Sequence, residues 1–448
     1  MTATTIPQLP TQEEALSLID TVIQRSQAEG VFVTFQAANE TLSRFSENQI
    51  SQNIQTNQAK LTVTSYYGQR SASAATSELD IEAIAQTVRR SEEFAQIAPQ
   101  DPEWVPLLEP QTYEDRQPAF DRSTANLSPI ARGEMVQQVC DRTSKAGVNG
   151  SGTLSSEASV LAIGNSLGLR AFQQNTQANF SVTARIDDGS SWMRRSACAV
   201  GDLPIVELTE NAIARACQSR QPQEISPGKY PVVFEGAALA DLLFFLIFNL
   251  DARAADEGRS FMSRYNDSGE VVGTHLGESL FSSLVQISRY PGHPALQMSP
   301  FFRNGLPNSY LEIVRDGVPQ ALSYSRYWAQ QQGKQPTGMF LPVVMAGCDR
   351  STADLIAQTE RGIFVSRAWY VRYVNPRTLE VTGMTRDGTF WIENGKLAYP
   401  IKNLRFNECL PDMMAQVDAL GTPQRYGASV VPSVRVREFH FSSITDSV

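Results

Sequence analysis

The sequence predicts an α+β fold in two parts, and three features carry that reading. Residues 1–225 alternate amphipathic helical segments with antiparallel strands flanked by those helices. Residues 226–448 are rich in short strands and turn residues, as expected of a large twisted antiparallel sheet or barrel. Between the two, residues 237–250 read AALADLLFFLIFNL, the most continuously apolar run in the chain. Those fourteen residues are too few to span a bilayer, which needs about twenty. Leucine, alanine and phenylalanine dominate the run, and no glycine or proline interrupts it. It therefore reads as a helix buried on nearly all sides, extending over 237–257, with the second sheet packed on it. A chain of 448 residues exceeds one ordinary core. The main boundary is placed in the linker at 222–228, and the N-terminal region divides further near 1–100 and 128–225.

Taken in order, residues 11–29 form the first helix. Thr11 and Glu14 have capping-box spacing, and Leu16, Ile19, Val22 and Ile23 share one face. Gly30 is its stop signal. Strands are predicted over 31–35, 41–45, 50–56 and 60–67, with a hairpin turn at Tyr67-Gly68-Gln69-Arg70. A second helix starts near Asp80 and turns Ile81, Ile84, Ala85 and Val88 inward. Residues 97–129, rich in proline, acidic residues and glutamine, read as a surface connection. A helix over 129–146, strands within 152–200 and a short helix over 208–220 complete the region. Residues 54–64 echo residues 173–183, and each stretch precedes a glycine turn and an Arg-Ser-Ala. That pattern fits an internal duplication or two strand pairs of convergent composition. The second half predicts strands over 311–315, 339–345, 362–374, 378–386, 388–393 and 396–406. It adds an Asn-Gly hairpin at Glu393-Asn394-Gly395-Lys396, a helix over 412–419 begun by Pro411, and a last strand over 433–441.

Composition narrows the function. The net charge is −9, and no cluster of five Lys or Arg occurs, so no direct nucleic-acid partner is expected. No membrane association is expected either. The opening residues show no basic or apolar leader. The five cysteines, Cys140, Cys198, Cys217, Cys348 and Cys409, form no CxxC pair. Both features predict a reduced, cytoplasmic protein. The three histidines, His275, His293 and His440, have no helical ligand spacing, so no local two-histidine metal site exists. His275 and Glu278 read as a surface pair. Gly164-Asn165-Ser166-Leu167-Gly168 matches the nucleophile-elbow pattern, but strand-like residues flank it on both sides, and a hairpin turn accounts for it equally well. Cys348 reads as an inert cysteine at a strand end unless a histidine approaches it in space.

Several stretches together resemble the TldD/PmbA family, also called modulators of DNA gyrase. They are Arg44-Phe45-Ser46-Glu47-Asn48-Gln49-Ile50, Gly164-Asn165-Ser166-Leu167-Gly168, Glu257-Gly258-Arg259-Ser260-Phe261, Thr359-Glu360-Arg361-Gly362-Ile363-Phe364-Val365 and Trp391-Ile392-Glu393-Asn394-Gly395-Lys396-Leu397, with Pro400 and Lys402. They occur in the family's order along nearly the whole chain. The resemblance implies a cytosolic, two-part protein related to metallopeptidases that act on unfolded peptides. In the catalytic TldD-type subunit it implies an HExxxH helix, which supplies two zinc ligands and a general base, and a later cysteine ligand. The matching positions here are Leu243, Phe244 and Phe248, none of which can bind zinc or take a proton from water. The late segment Gln424-Arg425-Tyr426-Gly427-Ala428 has no cysteine, and Cys409 lies too early.

The resemblance therefore implies a PmbA/TldE-type subunit with no catalytic residue, no metal and no cofactor of its own, its metal site replaced by apolar packing. Zinc is expected on a TldD-like partner. The assembly would be a heterodimer with that catalytic subunit, or a homodimer, acting on unfolded peptide. Asn165, Ser166, Arg259 and Asn394 are the candidate peptide-binding residues, set against a simpler reading of all four as turn and cap residues. Two alternatives stay open. One is a peptidase active alone, its non-standard metal site built from His275, His293 or His440 with carboxylates. The other is a non-enzymatic homodimer that binds peptides or regulates a partner.

Overall fold

A computed structural model of the chain describes residues 8–116 and 119–445. The leader reading rests partly on residues 1–7, which lie outside the described residues. Helix α1 (Gln12–Arg25) opens on the capping box anticipated from Thr11 and Glu14. The Glu14 amide donates to Thr11 Oγ1 at 3.3 Å and the Thr11 amide to the Glu14 carboxylate at 2.8 Å. Ala15, Ile19 and Val22 are its buried face. The helix stops at Ser26, where the backbone turns extended, and Gly30 begins the next strand instead of ending the helix.

The four short strands expected between residues 31 and 67 are two long ones, β1 (Gly30–Ser46) and β2 (Gln49–Tyr67), followed by β3 (Arg70–Thr76). The polar residues that interrupt the apolar alternation stay in the ladder, Ala38 opposite Gln58 and Asn39 opposite Asn57. Pairing uses backbone groups, so polar side chains in mid-strand do not end it. Helix α2 (Ile81–Ile97) follows, with Asp80 accepting from the Glu82 and Ala83 amides. After an irregular connection come α3 (Arg122–Ala125), α4 (Pro129–Lys145), β4 (Asn149–Asn165), β5 (Arg170–Ile186), β6 (Gly189–Ala197) and α5 (Ile205–Gln218). The six strands make one antiparallel sheet in the order β3-β2-β1-β4-β5-β6. Helix, three strands and helix thus occur twice about the central β1–β4 pair. The echoing segments 54–64 and 173–183 fall in β2 and β5, the equivalent positions of the two halves.

The second half begins with β7 (Gly228–Phe234), α6 (Gly236–Phe248) and α7 (Ala252–Asp256). Its larger sheet has nine strands. It runs from the edge strand Ala368–Asn375 through Glu380–Thr385, Leu404–Cys409, Val434–Ile444, β7, Arg361–Val365 and Thr389–Glu393 to Lys396–Pro400, with Val417–Leu420 paired onto Val434–Ile444. A second sheet of six strands includes Ile287–Arg289, Leu311–Arg315, Val343–Met345 and Ser429–Val431. Most pairs are antiparallel; β7 runs parallel to Arg361–Val365. The Asn-Gly hairpin is present: Asn394 at φ 50° and Gly395 at φ 74° occupy the left-handed region that such a turn requires.

Several predicted elements are shorter or divided. The expected strand over 362–374 is split at Ser366-Arg367, and the one over 396–406 at residues 401–403. The 412–419 helix ends at Ala415, and residues 417–420 join the sheet as a strand. The helix expected over 237–257 is two helices. Asp251 caps α7 by accepting from the Ala254 amide at 2.8 Å, and Leu250 and Ala252 bond to Ser323 across the break. Nor is α6 buried on nearly all sides. Ala238, Leu239, Leu242, Leu243, Leu246 and Ile247 face the core, but Phe244 is 55% and Phe248 43% exposed, because neither sheet covers that side. Both rings lie outside the apolar packing expected of them.

Candidate functional site

A cleft of about 510 Å³ opens beside α6, where the helix meets the edge strand Ala368–Asn375 and residues 426–429. Gly236 sets the close approach: a Cβ there would sit 2.9 Å from the Tyr426 ring, so glycine lets Tyr426 pack on the first turn of the helix. Arginines and aromatic rings alternate across the cleft. The Arg367 guanidinium lies 4.0 Å from the Trp192 ring centre and 4.2 Å from that of Trp369, between two indoles. Arg194 stands over Trp192 at 5.2 Å and over Tyr426 at 5.8 Å.

Two carboxylates hold this array. Asp241, on α6, accepts from Arg194 Nη2 at 2.7 Å. Burial nonetheless pushes its carboxyl above the ordinary aspartate range, opposed by the Arg194 charge. Asp387 is nearly inaccessible and accepts from Arg367 Nη1 at 2.5 Å. At the start of α6, Arg215 makes two bonds to Glu235, at 2.7 and 3.2 Å. The cleft therefore offers fixed guanidinium groups and flat apolar surfaces, a combination suited to the backbone carbonyls and side chains of an extended chain. Phe244, which also lines the cleft, stacks on Phe248 with ring centres 4.4 Å apart, and Trp369, Tyr370, Tyr373 and Val374 are exposed on the neighbouring edge strand.

The four residues singled out from the sequence stand elsewhere, in three separate turns. Asn165 is fully buried; its Oδ1 accepts from the Leu167 and Leu169 amides and its Nδ2 donates to the Leu108 carbonyl at 2.7 Å. Ser166 Oγ accepts from the Val31 amide at 3.1 Å. Both belong to the hairpin between β4 and β5, which accounts for the G-x-S-x-G pattern. Arg259 pairs with Glu257 on the surface, and Asn394 occupies the Asn-Gly turn. None of the four lines the α6 cleft.

The histidines are also separately engaged. His275 Nδ1 is 2.7 Å from Glu278 Oε2, His293 Nδ1 accepts from the Ala295 amide, and the His440 amide donates to Glu408. Among the described residues no three His, Cys, Asp or Glu side chains converge as a metal cage. On α6, Leu243 is buried and Phe244 and Phe248 are exposed phenyl rings, none of which is a zinc donor. No described helix is long and apolar enough to cross a membrane.

Two sheets joined through an apolar helix and an arginine–aromatic cleft define the class, an α+β protein rich in antiparallel sheet. Residues 227–443 match the family model of the PmbA/TldA metallopeptidase C-terminal domain. Over 381 residues the chain is 24% identical to Metalloprotease PmbA of Escherichia coli O157:H7, covering 81% of this chain and 80% of that protein. The structure of TldE from Thermococcus kodakarensis superimposes with a TM-score of 0.83 at 16% identity, over 95% of this chain and all of that one. A Bacteroides thetaiotaomicron protein described as a candidate modulator of DNA gyrase gives 0.84 at 19% identity, over 97% of this chain and all of that one. These likenesses support the resemblance to the TldD/PmbA family.

Sequence reasoning missed Trp192, Arg194, Arg367, Trp369 and Tyr426. They are scattered over 235 positions, from 192 to 426, and no local spacing marks them. A weak signal was available in Trp192 and Arg194, two apart on β6: residues two apart share a strand face.

Proposed function

We propose that this chain is a PmbA/TldE-type subunit without a zinc centre of its own, which joins a TldD-like catalytic subunit in an assembly that processes unfolded peptides. One observation carries the reading. The α6 positions that the family resemblance sets against HExxxH hold Leu243, Phe244 and Phe248, and the two phenylalanines project outward into an uncovered aromatic face. Exposed apolar surface of this kind, continuous with an unpaired edge strand, is what a protein partner covers. In this role the chain contributes a binding surface and part of the peptide chamber. Arg194 and Arg367, held against indole faces, orient an extended chain, while proton transfer and metal chemistry belong to the partner. The α6 cleft, in place of Asn165, Ser166, Arg259 and Asn394, is the peptide-contacting surface.

The test is metal content by mass spectrometry on the full chain, alone and co-expressed with a TldD-like partner. The expected result is no bound zinc on the chain alone and zinc in a co-purifying complex. Tightly bound zinc on the isolated chain, removed by chelator with loss of peptidase activity, would overturn the proposal. Phe244→Glu with Phe248→Glu is expected to leave the chain folded and to abolish co-purification.

A further inference from the structure

Next to the α6 cleft lies a larger, mainly apolar cavity of about 960 Å³. It shares Leu341 and Ala428 with the cleft, so the two are continuous. Phe301, Phe302, Leu306, Tyr324, Met339 and Leu341 supply its apolar wall. The size is that of a site for several apolar side chains or a drug-sized ligand. Its frame is rigid. Arg289, almost fully buried, donates through Nε to the Ser309 carbonyl at 3.0 Å and through Nη1 to the Met339 carbonyl at 2.9 Å, and also bonds the Thr337 carbonyl. Its guanidinium lies 5.1 Å from the Phe302 ring centre. It thereby ties opposite walls together.

Two polar groups in the loop on one side remain available. Asn308 is only 5% exposed and lines the cavity. Its Nδ2 donates to the Ser299 carbonyl at 2.9 Å, yet its buried Oδ1 has no hydrogen-bond donor among the described residues. A buried acceptor of this sort calls for an N–H or O–H from a ligand. Arg303, at the exposed tip of the same loop, has no ion-pair partner among the described residues. The cavity's other charges are engaged. Glu103 pairs with Arg253 at 2.8 Å, Asp251 caps α7, and Arg326 bonds the Pro106 carbonyl. Among the described residues Arg303 is thus the one charged side chain of the lining with neither a hydrogen-bond nor an ion-pair partner.

We propose that this cavity binds the C-terminal end of a peptide whose last residues are bulky and apolar. The apolar side chains fill the cavity, Arg303 receives the terminal carboxylate, and Asn308 Oδ1 accepts a backbone N–H. The inference rests on the peptide-handling role proposed above and adds a preference for one kind of peptide end. A free fatty acid shares the apolar-anion chemistry but lacks the amide donor for Asn308.

The experiment is fluorescence anisotropy on the full chain with N-terminally fluorescein-labelled Gly-Ser-Ala-Leu-Phe, as free acid and as C-terminal amide. The free acid is expected to bind roughly tenfold more tightly, the discrimination of one charge-assisted hydrogen bond. Arg303→Gln is expected to erase that difference while leaving the amide's affinity unchanged. Met339→Asp, at an exposed position on the wall, is expected to weaken both. Equal binding of acid and amide by the unsubstituted chain, or an acid preference that survives Arg303→Gln, would overturn the proposal. So would decanoate binding more tightly than the peptide acid. Absence of peptide binding with a zinc-bearing partner still co-purifying would sink this inference alone. Peptide-acid binding without any partner would uphold it and sink the subunit reading.

Discussion

Burial pushes the Cys409 thiol up to about 12, and its Sγ donates to the Thr378 carbonyl at 3.2 Å. Metal binding and nucleophilic attack both need the thiolate, which this environment disfavours. Cys217, by contrast, is exposed. Iodoacetamide at about pH 8 is expected to label Cys217 readily and to leave Cys409 largely unmodified in the folded chain, with mass mapping of the tryptic peptides as the readout. Comparable labelling of both would show that the burial assigned to Cys409 is wrong. Residues with strictly local jobs were legible without coordinates: the Thr11–Glu14 box, the Asp80 cap and the Asn394-Gly395 turn all depend on neighbours a few positions away. Asn165 shows where that legibility stops. Its turn was readable, but the Leu108 carbonyl that takes its Nδ2 is 57 positions away.

At the scale of the element, α6 shows what hydrophobicity alone leaves open. The run 237–250 was readable as a helix because it lacks breakers, but its uniform apolarity hides which side is covered. The structure separates the two sides, and stability measurements can do the same. Leu243 is 2% exposed, so Leu243→Ala is expected to cost about 2–5 kcal/mol through lost burial and the cavity it leaves. Phe248→Ala, on the open side, is expected to cost less than about 1 kcal/mol. Urea denaturation of both variants checks this, and equal losses would return α6 to a helix enclosed all round. The long strands β1 and β2 went unread for the opposite reason. Polar residues in their middles broke the apolar alternation, although the backbone ladder continued through them.

Across the whole molecule, buried carboxylates link stability to pH. Burial raises the Glu408 carboxyl above its ordinary range, against the lowering effect of bonds from the His440 and Cys409 amides. A raised folded-state value means that the protonated form suits the fold. The contribution is fully present below the ordinary glutamate value of 4.5 and is lost as pH rises through the folded-state value. Asp241 behaves in the same sense. Glu408→Gln keeps an acceptor for the His440 amide and removes the titration. Between about pH 5 and pH 8, the urea midpoint of the variant is expected to fall less than that of the unsubstituted chain. Parallel curves would show that Glu408 is not the titrating group.

The sequence by itself determined the α+β class, the helix caps, the hairpin turns, the apolar helix at the head of the second half, and the family resemblance. Each rests on short-range chemistry or on motif order, which the chain carries in one dimension. Tertiary structure alone decided that α6 is open on the Phe244–Phe248 side and that Trp192, Arg194, Arg367, Trp369 and Tyr426 form one cleft. It also decided that Arg303 and Asn308 stand at a single cavity. Those arrangements depend on strand order and on which face each sheet covers. Both are settled by packing between segments far apart in the chain, which no local spacing records.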